Sequence, residues 1–338
     1  MISQEPQLRS GPPWIMDEMI NQQLELPGRI AESGSVELLG EHVKEAQDAG
    51  EPIVFCGCGT SEHAARGMAA ILHKVQPAAA VQSRDSFEVG LDPPTRGLLV
   101  GISHSGETSA TLDALQKAGE SGARALLVTA APELAPEGVT AIPVPLYDGS
   151  WCHTVAYTSP ILTLALATGM KPGSARSVVQ LELDARHQRA QDAGTIQDCE
   201  RLFVVGSGVD EITAAELALK IEEAAHIPCT PLGVEKILHG HLPAATARSG
   251  LVLLRYDGSE HDRRDQRGGD VAAACAVLDM ASVTLRSDVK TVAAALLTGA
   301  VSAQLLTVEL ATALGINPDL IRREEDLYRE VARVAKAG

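Results

Sequence analysis

The sequence predicts an α/β protein made of two tandem three-layer α/β/α lobes, each on a parallel sheet. The first observation behind this is alternation. Short apolar runs give way to helical patterns, as in PIVFCGCGTSEHAARGMAAIL (52–72) and RLFVVGSGVDEITAAELALKIEEAA (201–225), which is how strand–helix units of a parallel sheet read. The second is internal repetition. Gly57 and Gly59 recur as Gly206 and Gly208 at one common offset of 149 residues, and Gly106 pairs with Gly258 at 152. Two features in the same order at nearly the same spacing point to two related halves. The third is length, because 338 residues suffice for two ordinary domains.

In chain order, residues 1–34 form an N-terminal helical segment, 35–170 the first lobe, 190–320 the second lobe and 321–338 a C-terminal tail. KPGS (171–174) punctuates the end of the first lobe, and Val178 to Ala193 is expected to be a single, mostly polar connecting helix.

Composition narrows the functional classes. An apolar content of 45% and a mean hydropathy of +0.05 fit a globular chain. No stretch of about 18 uninterrupted apolar residues exists, so no membrane partner is expected. The N-terminus MISQEPQLRSGPPWIMDEMI lacks a basic start and an apolar core, so a cytoplasmic protein is expected. A net charge of −16 argues against a nucleic-acid partner. Six cysteines show no CxxC pair and no Cys/His array with zinc spacing; reduced, mostly buried thiols are expected, with no metal and no cofactor.

The informative stretch is GISHSGETSATLDAL (101–115), a strand-to-helix turn with hydroxyls around a glycine and no lysine or arginine. At the carboxyl end of a parallel strand, the next helix offers free N–H groups and the positive end of its dipole. Such a turn is an anion site. Ser103, Ser105 and Thr108 add neutral donors, and Gly106 lets the backbone come close. One hydroxyl would be a helix cap; three within six residues, with CGTS at the end of another strand, point to a bound phosphate. No GxxxxGK[ST] or GxGxxG motif is present, which sets aside Walker and dinucleotide sites.

CGTSEH (58–63) and ISHSGETSATL (102–112) resemble the phosphosugar signatures of the sugar isomerase (SIS) domain family. With two such halves, nearly the whole chain resembles the isomerase part of glucosamine-6-phosphate synthase, and stand-alone amino-sugar-phosphate deaminases and deglycases. MDEMINQQ (16–23) adds a faint match to that family's opening. The resemblance implies flavodoxin-like SIS lobes and a sugar-phosphate substrate. No glutaminase part precedes the isomerase part, so a full synthase is not expected. By motif, Gly59, Thr60 and Ser61 with Ser103, His104, Ser105 and Thr108 would hold the phosphate. His104 stands where synthases commonly have glutamine. HTVAYTSPILTL (153–164) falls where they have V-A-S-T-K-A; Val155 and Ala156 match it, and the lysine has no counterpart.

Glu216, Lys220 and Glu223 share one helical face, a spacing that by itself is most often a solvated stripe. The resemblance changes this reading, because synthases carry E-x-x-x-K-x-x-E here and a histidine sixteen residues later, where this chain has His239. It implies Glu223 as the base that moves a proton between C1 and C2, His239 as the ring-opening group, and Lys220 as a residue placing an oxygen. It also implies a homodimer in which His239 crosses the interface. A His239/His241 metal pair is the rival reading. Synthases end in D-x-P-R-N-L-A-K with an imine-forming lysine. Here Asp319 and Arg322 fit, but Asp326 takes the lysine's place and the only later lysine is Lys336. The expected function is therefore isomerisation, or amine release from a 6-phosphorylated amino sugar or fructosamine. The alternative is a non-catalytic sugar-phosphate sensor acting on a protein partner.

Overall fold

The computed structural model describes residues 5–257 and 263–336; Gly258, the partner of Gly106 in the repeat, lies outside the described residues. Three helices lead in: α1 (Ile15–Gln22), α2 (Leu26–Glu32) and α3 (Ser35–Asp48). The first sheet follows, as β1 (Ile53–Gly57), α4 (Thr60–Val75), β2 (Val81–Asp85), α5 (Ser86–Leu91), β3 (Leu98–Ile102), α6 (Ser109–Glu120), β4 (Arg124–Thr129) and β5 (Thr140–Pro143). Then come α7 (Val155–Ala167), α8 (Pro172–Asp184) and α9 (Arg186–Ile196). The second sheet is built from β6 (Arg201–Gly206), α10 (Asp210–Ala225), β7 (Cys229–Gly233), the short α11 (Val234–Lys236), β8 (Ser249–Arg255), α12 (Arg263–Val277) and β9 (Ala281–Arg286). The long α13 (Val292–Leu314) and terminal α14 (Asp326–Lys336) close the chain.

Both sheets are wholly parallel, in the orders β2-β1-β3-β4-β5 and β7-β6-β8-β9. This is the flavodoxin-like order and its four-stranded counterpart. Central strands such as β1 and β3 are buried at every position, as strands covered on both faces must be. The edge strand β9 alternates instead.

The glycine repeat has a physical basis in the structure. A Cβ on Gly57 would lie 2.4 Å from the Ser61 carbonyl carbon, and one on Gly206 would lie 2.4 Å from the Asp210 oxygen. Gly59 and Gly208 both hold positive φ, +56° and +64°. The same strand-to-helix turn is thus built twice under the same steric constraint.

The expected single connecting helix is two helices, broken at Ala185. No glycine or proline marks the break; tertiary contacts set it. Arg186 pairs with Asp17 and, at 2.6 Å, with Glu309, while Arg189 donates to Ser302 at 3.0 Å. α13 is long and apolar enough to cross a membrane, but 83% of its apolar window is buried inside the fold. It packs against α4, α7, α8, α9 and α10 and acts as the shared core helix of both lobes. All six cysteines are free thiols.

Candidate active site

In the first sheet the strand order reverses between β1 and β3. Ligand crevices of open α/β sheets form at such a switch point, outside the carboxyl ends of the strands. The CGTS and SHSGET turns leave from those two ends. Ser103 Oγ donates to Thr108 Oγ1 at 2.9 Å and accepts from Thr108 N at 3.3 Å, while Ser105 Oγ accepts from Glu107 N at 3.3 Å. Gly106 has φ +70°, and a Cβ there would press on Leu134 Cβ at 3.1 Å and the Ala131 carbonyl at 3.2 Å. The first turn of α6 carries no acid, so its positive end is open to an anion. Across the crevice, Gly59 is exposed and Ser61 half-buried in the first turn of α4. Thr60 is buried and donates to Glu216 Oε1 at 3.2 Å.

His104 is turned inward. Its Nε2 accepts from the Asp148 backbone N–H at 2.7 Å, which fixes the neutral ring, and burial lowers its pKa to about 4. The Asp148 carboxylate in turn accepts from the N–H groups of Ser150, Thr154 and Ala156 at 3.3, 2.6 and 3.2 Å, so it caps α7 and positions buried Val155 at the helix start. Burial pushes Asp148 up to about 6 against these hydrogen bonds and the pull of Lys220.

The His104 side chain therefore acts as a spacer between the loop and the start of α7. His104→Gln should keep an acceptor for Asp148 N–H and change stability little at pH 7, whereas His104→Leu should cost about 1–3 kcal/mol by orphaning that buried N–H. The folded-state pKa of His104 is depressed, so its contribution is present above about pH 6.5 and lost as pH falls towards 4, about 3 kcal/mol in all. Asp148 works in the opposite direction, adding stability below its unfolded pKa that is lost as pH rises to about 6. Urea unfolding of the wild type and His104→Gln between pH 4 and 7 separates the two: the variant should lose the histidine limb only. Identical pH profiles would refute the assignment.

α10 brings the second lobe to the crevice. Glu216 is almost fully buried, bonded to Thr60 and, at 2.8 Å, to His63 Nδ1. Lys220 is fully buried, with Nζ on Glu223 Oε2 and 3.9 Å from Glu216 Oε1. Burial would lower Lys220, but Glu223 and Glu216 hold its pKa above the ordinary value. Glu223 retains 23% exposure; its burial raises the pKa and Lys220 opposes the shift.

Two residues not singled out in the sequence complete the cluster. The His153 ring lies 5.9 Å from that of His104, and burial, then the charge of Lys220, lower its pKa. Arg323 stacks 4.7 Å over Trp151, and burial lowers its pKa against the attraction of Glu223. No local signal distinguished Arg323 from its neighbour. Arg322, the motif match, lies outward, forked on Glu325 at 2.9 and 3.1 Å. Asp319 accepts from Ile15 and Met16 N–H at 2.9 and 2.8 Å and so anchors α1. Asp326, where a lysine would stand, is exposed at the start of α14 and pairs with Arg329.

His239 is not brought to Glu223 within the chain. Its side chain is 72% exposed and lies 3.2 Å from Glu235, beside Gly240 at φ +131°. His241 is exposed on the same turn.

The second sheet's own switch point is closed by carboxylates. Asp257 Oδ2 accepts from Val209 N–H at 3.1 Å at the start of α10, and Asp210 Oδ2 accepts from Tyr256 and Asp257 N–H at 2.9 and 3.0 Å. Among the described residues, the start of α10 is thus already occupied by a carboxylate, whereas that of α6 is not.

The family model of the SIS domain matches residues 48–136, the stretch that carries both turns. These residues form a SIS domain. The chain is 26% identical over 273 residues to a glutamine–fructose-6-phosphate aminotransferase of Thermococcus kodakarensis, covering 72% of this chain and 45% of that protein. It thus spans less than half the length of the curated relatives it matches. Beyond the SIS domain, the fold as a whole resembles two solved structures. One is the C-terminal domain of glucosamine-fructose-6-phosphate aminotransferase from Francisella tularensis, at TM-score 0.76 and 20% identity, covering 93% of this chain and 99% of that one. The other is tagatose-6-phosphate ketose/aldose isomerase from Escherichia coli, at TM-score 0.80 and 16% identity, covering 94% and 98%.

Proposed function

We propose that the protein is a sugar-phosphate enzyme, an aldose–ketose isomerase or a deaminase/deglycase of a 6-phosphorylated amino sugar or fructosamine. The observation that carries this reading is the pairing of a part-exposed carboxylate, Glu223, on a fully buried Lys220 with a hydroxyl turn at the same crevice that leads into the acid-free first turn of α6. The turn would hold the phosphate, leaving C1 and C2 to the carboxylate. Glu223 takes the proton from one carbon as the carbonyl oxygen gains a proton to give the enediol; the carbon proton then returns to the neighbouring carbon as the other hydroxyl gives up its own and becomes the new carbonyl. With an amine on the sugar, the same proton transfer through an enaminol gives an imine, and water adds to its carbon, releasing the amine and leaving a carbonyl there. Lys220, having no exposed surface, would act through Glu223 as a positioning residue. Asp326, standing where the synthases have their imine-forming lysine and paired with Arg329, cannot form an imine, which disfavours amide transfer.

The test is a thermal-shift and turnover screen with fructose 6-phosphate, tagatose 6-phosphate, glucosamine 6-phosphate and fructoselysine 6-phosphate. A ligand at 100 times its Kd should stabilise the fold by about 2.7 kcal/mol. Conversion of a stabilising sugar supports the enzyme, with amine release scored separately. Stabilisation without conversion would make it a sensor, and no stabilisation would remove the phosphate site.

His239 would serve the crevice of a second copy. Mixing Glu223→Gln and His239→Asn chains, each inactive alone, should then restore about a quarter of wild-type activity, since half the dimers are mixed and each holds one intact site. Separate sites within each chain would give no recovery after mixing.

A further inference from the structure

A cavity of about 620 Å³ opens at the far ends of the helices that frame the crevice. Thr60 and Val155 start α4 and α7 at the site, whereas Ile71, Lys74 and Val75, with Ala165 and Thr168, wall the cavity from their last turns. The 16 residues of α4 put about 24 Å between the two places. The walls are aliphatic, with Met170, Val178, Val289 and Val292 facing Ile71 and Val75. No aromatic residue and no Asp or Glu lines it, but Lys74, Lys171 and Lys290 do.

These three lysines differ from the other four whose side chains are described. Lys44, Lys117, Lys220 and Lys236 pair with Asp48, Asp113, Glu223 and Glu211. Lys74, Lys171 and Lys290 have no hydrogen bond or ion pair among the described residues, in a chain with net charge −16. Lys74 lies in the last turn of α4, where the dipole favours a cation. Lys171 and Lys290 are placed the other way. Lys171 is the N-cap residue of α8, and Lys290 precedes Thr291, the N-cap of the 23-residue α13. Neither helix has an acid in its first turn, so two cations sit at positive helix ends with no acid paired to them among the described residues.

We propose that this cavity binds a small amphipathic organic anion. Its phosphate or carboxylate head is held by Lys171 and Lys290 at the two helix starts, and its aliphatic body lies on the apolar walls. The volume is that of a small-molecule site, and the absence of aromatic walls favours an aliphatic body over a stacked base. The proposal stands independently of the chemistry at Glu223.

Titration calorimetry with hexyl phosphate tests it, with inorganic phosphate and hexanol as the two half-ligands. Hexyl phosphate should bind the wild type at least about tenfold more tightly than either half, and more weakly as salt rises. Lys171→Gln/Lys290→Gln should weaken it about tenfold or more, while Lys44→Gln leaves it unchanged. The double variant should melt no lower than the wild type, since it removes charge from positive helix ends. No hexyl phosphate binding, or equal affinity in the double variant, would overturn the proposal. So would loss of binding in Ser103→Ala instead, which would give the ligand to the phosphate turn. A change of oligomeric state in the lysine variant would give the cleft to a second copy and overturn it equally.

Discussion

Glu223→Gln should lower kcat by about 10²–10⁴ on whichever sugar phosphate the protein converts, with KM changed far less. Glutamine keeps the length of the side chain and an oxygen for Lys220 Nζ, so the contact that orients the group survives. What is lost is the ability to take a proton from carbon. Phosphate binding, which we propose for the turn around Ser103, Ser105 and Thr108, would not pass through this residue, which is why KM should hold. Burial raises the Glu223 pKa, so the acid limb of the wild-type kcat/KM profile should rise at a higher pH than an ordinary glutamate gives, and that limb should vanish in the variant. Steady-state kinetics across pH 4–8 read both effects. Full turnover by Glu223→Gln on every accepted substrate would end the assignment of the base.

What could be read from the sequence follows from how local each constraint is. The two parallel sheets were legible because strand runs and the turns of Gly57, Gly59, Gly206 and Gly208 obey steric rules within a few residues. The hydroxyl turn was legible for the same reason, since residues 103–108 close on themselves through Ser103 and Thr108. The remaining features depend on contacts distant in sequence. The break at Ala185 is set by Asp17, Ser302 and Glu309, so a helical pattern ran through it unmarked. Asp148 reaches the site through a backbone N–H on His104, which no side-chain motif encodes. Arg322 and Arg323 are adjacent, and only the positive φ of Ile321 and Arg322, 45° and 63°, turns the second inward and the first outward. His153 lay within a segment matched for Val155 and Ala156; its place between His104 and Lys220 depends on the docking of two lobes.

Lys220→Met should have the largest effect on stability, about 3–5 kcal/mol, because it strips the cation from two carboxylates in a nearly dry space. Methionine fills much the same volume, so the loss is electrostatic and not a cavity. Glu216 remains tied to Thr60 and His63 at the seam between the lobes, with Glu223 on the same helical face and no positive partner between them. Without Lys220 the ionised form of Glu223 is less favoured, so its pKa rises further and the acid limb of kcat/KM moves to higher pH. The folded state then holds its proton more tightly than the unfolded chain does, so the variant's stability deficit should grow as pH rises from about 4 towards neutrality. A second substitution separates charge from shape. Lys220→Met/Glu216→Gln removes one of the stranded carboxylates and should recover part of the loss, a coupling of at least about 1 kcal/mol in a double-mutant cycle. Denaturant unfolding of the three variants measures it. A Lys220→Met cost below about 1 kcal/mol, or strictly additive substitutions, would mean that the lysine does not hold the two glutamates, and the basis for placing Glu223 as an oriented base would go with it.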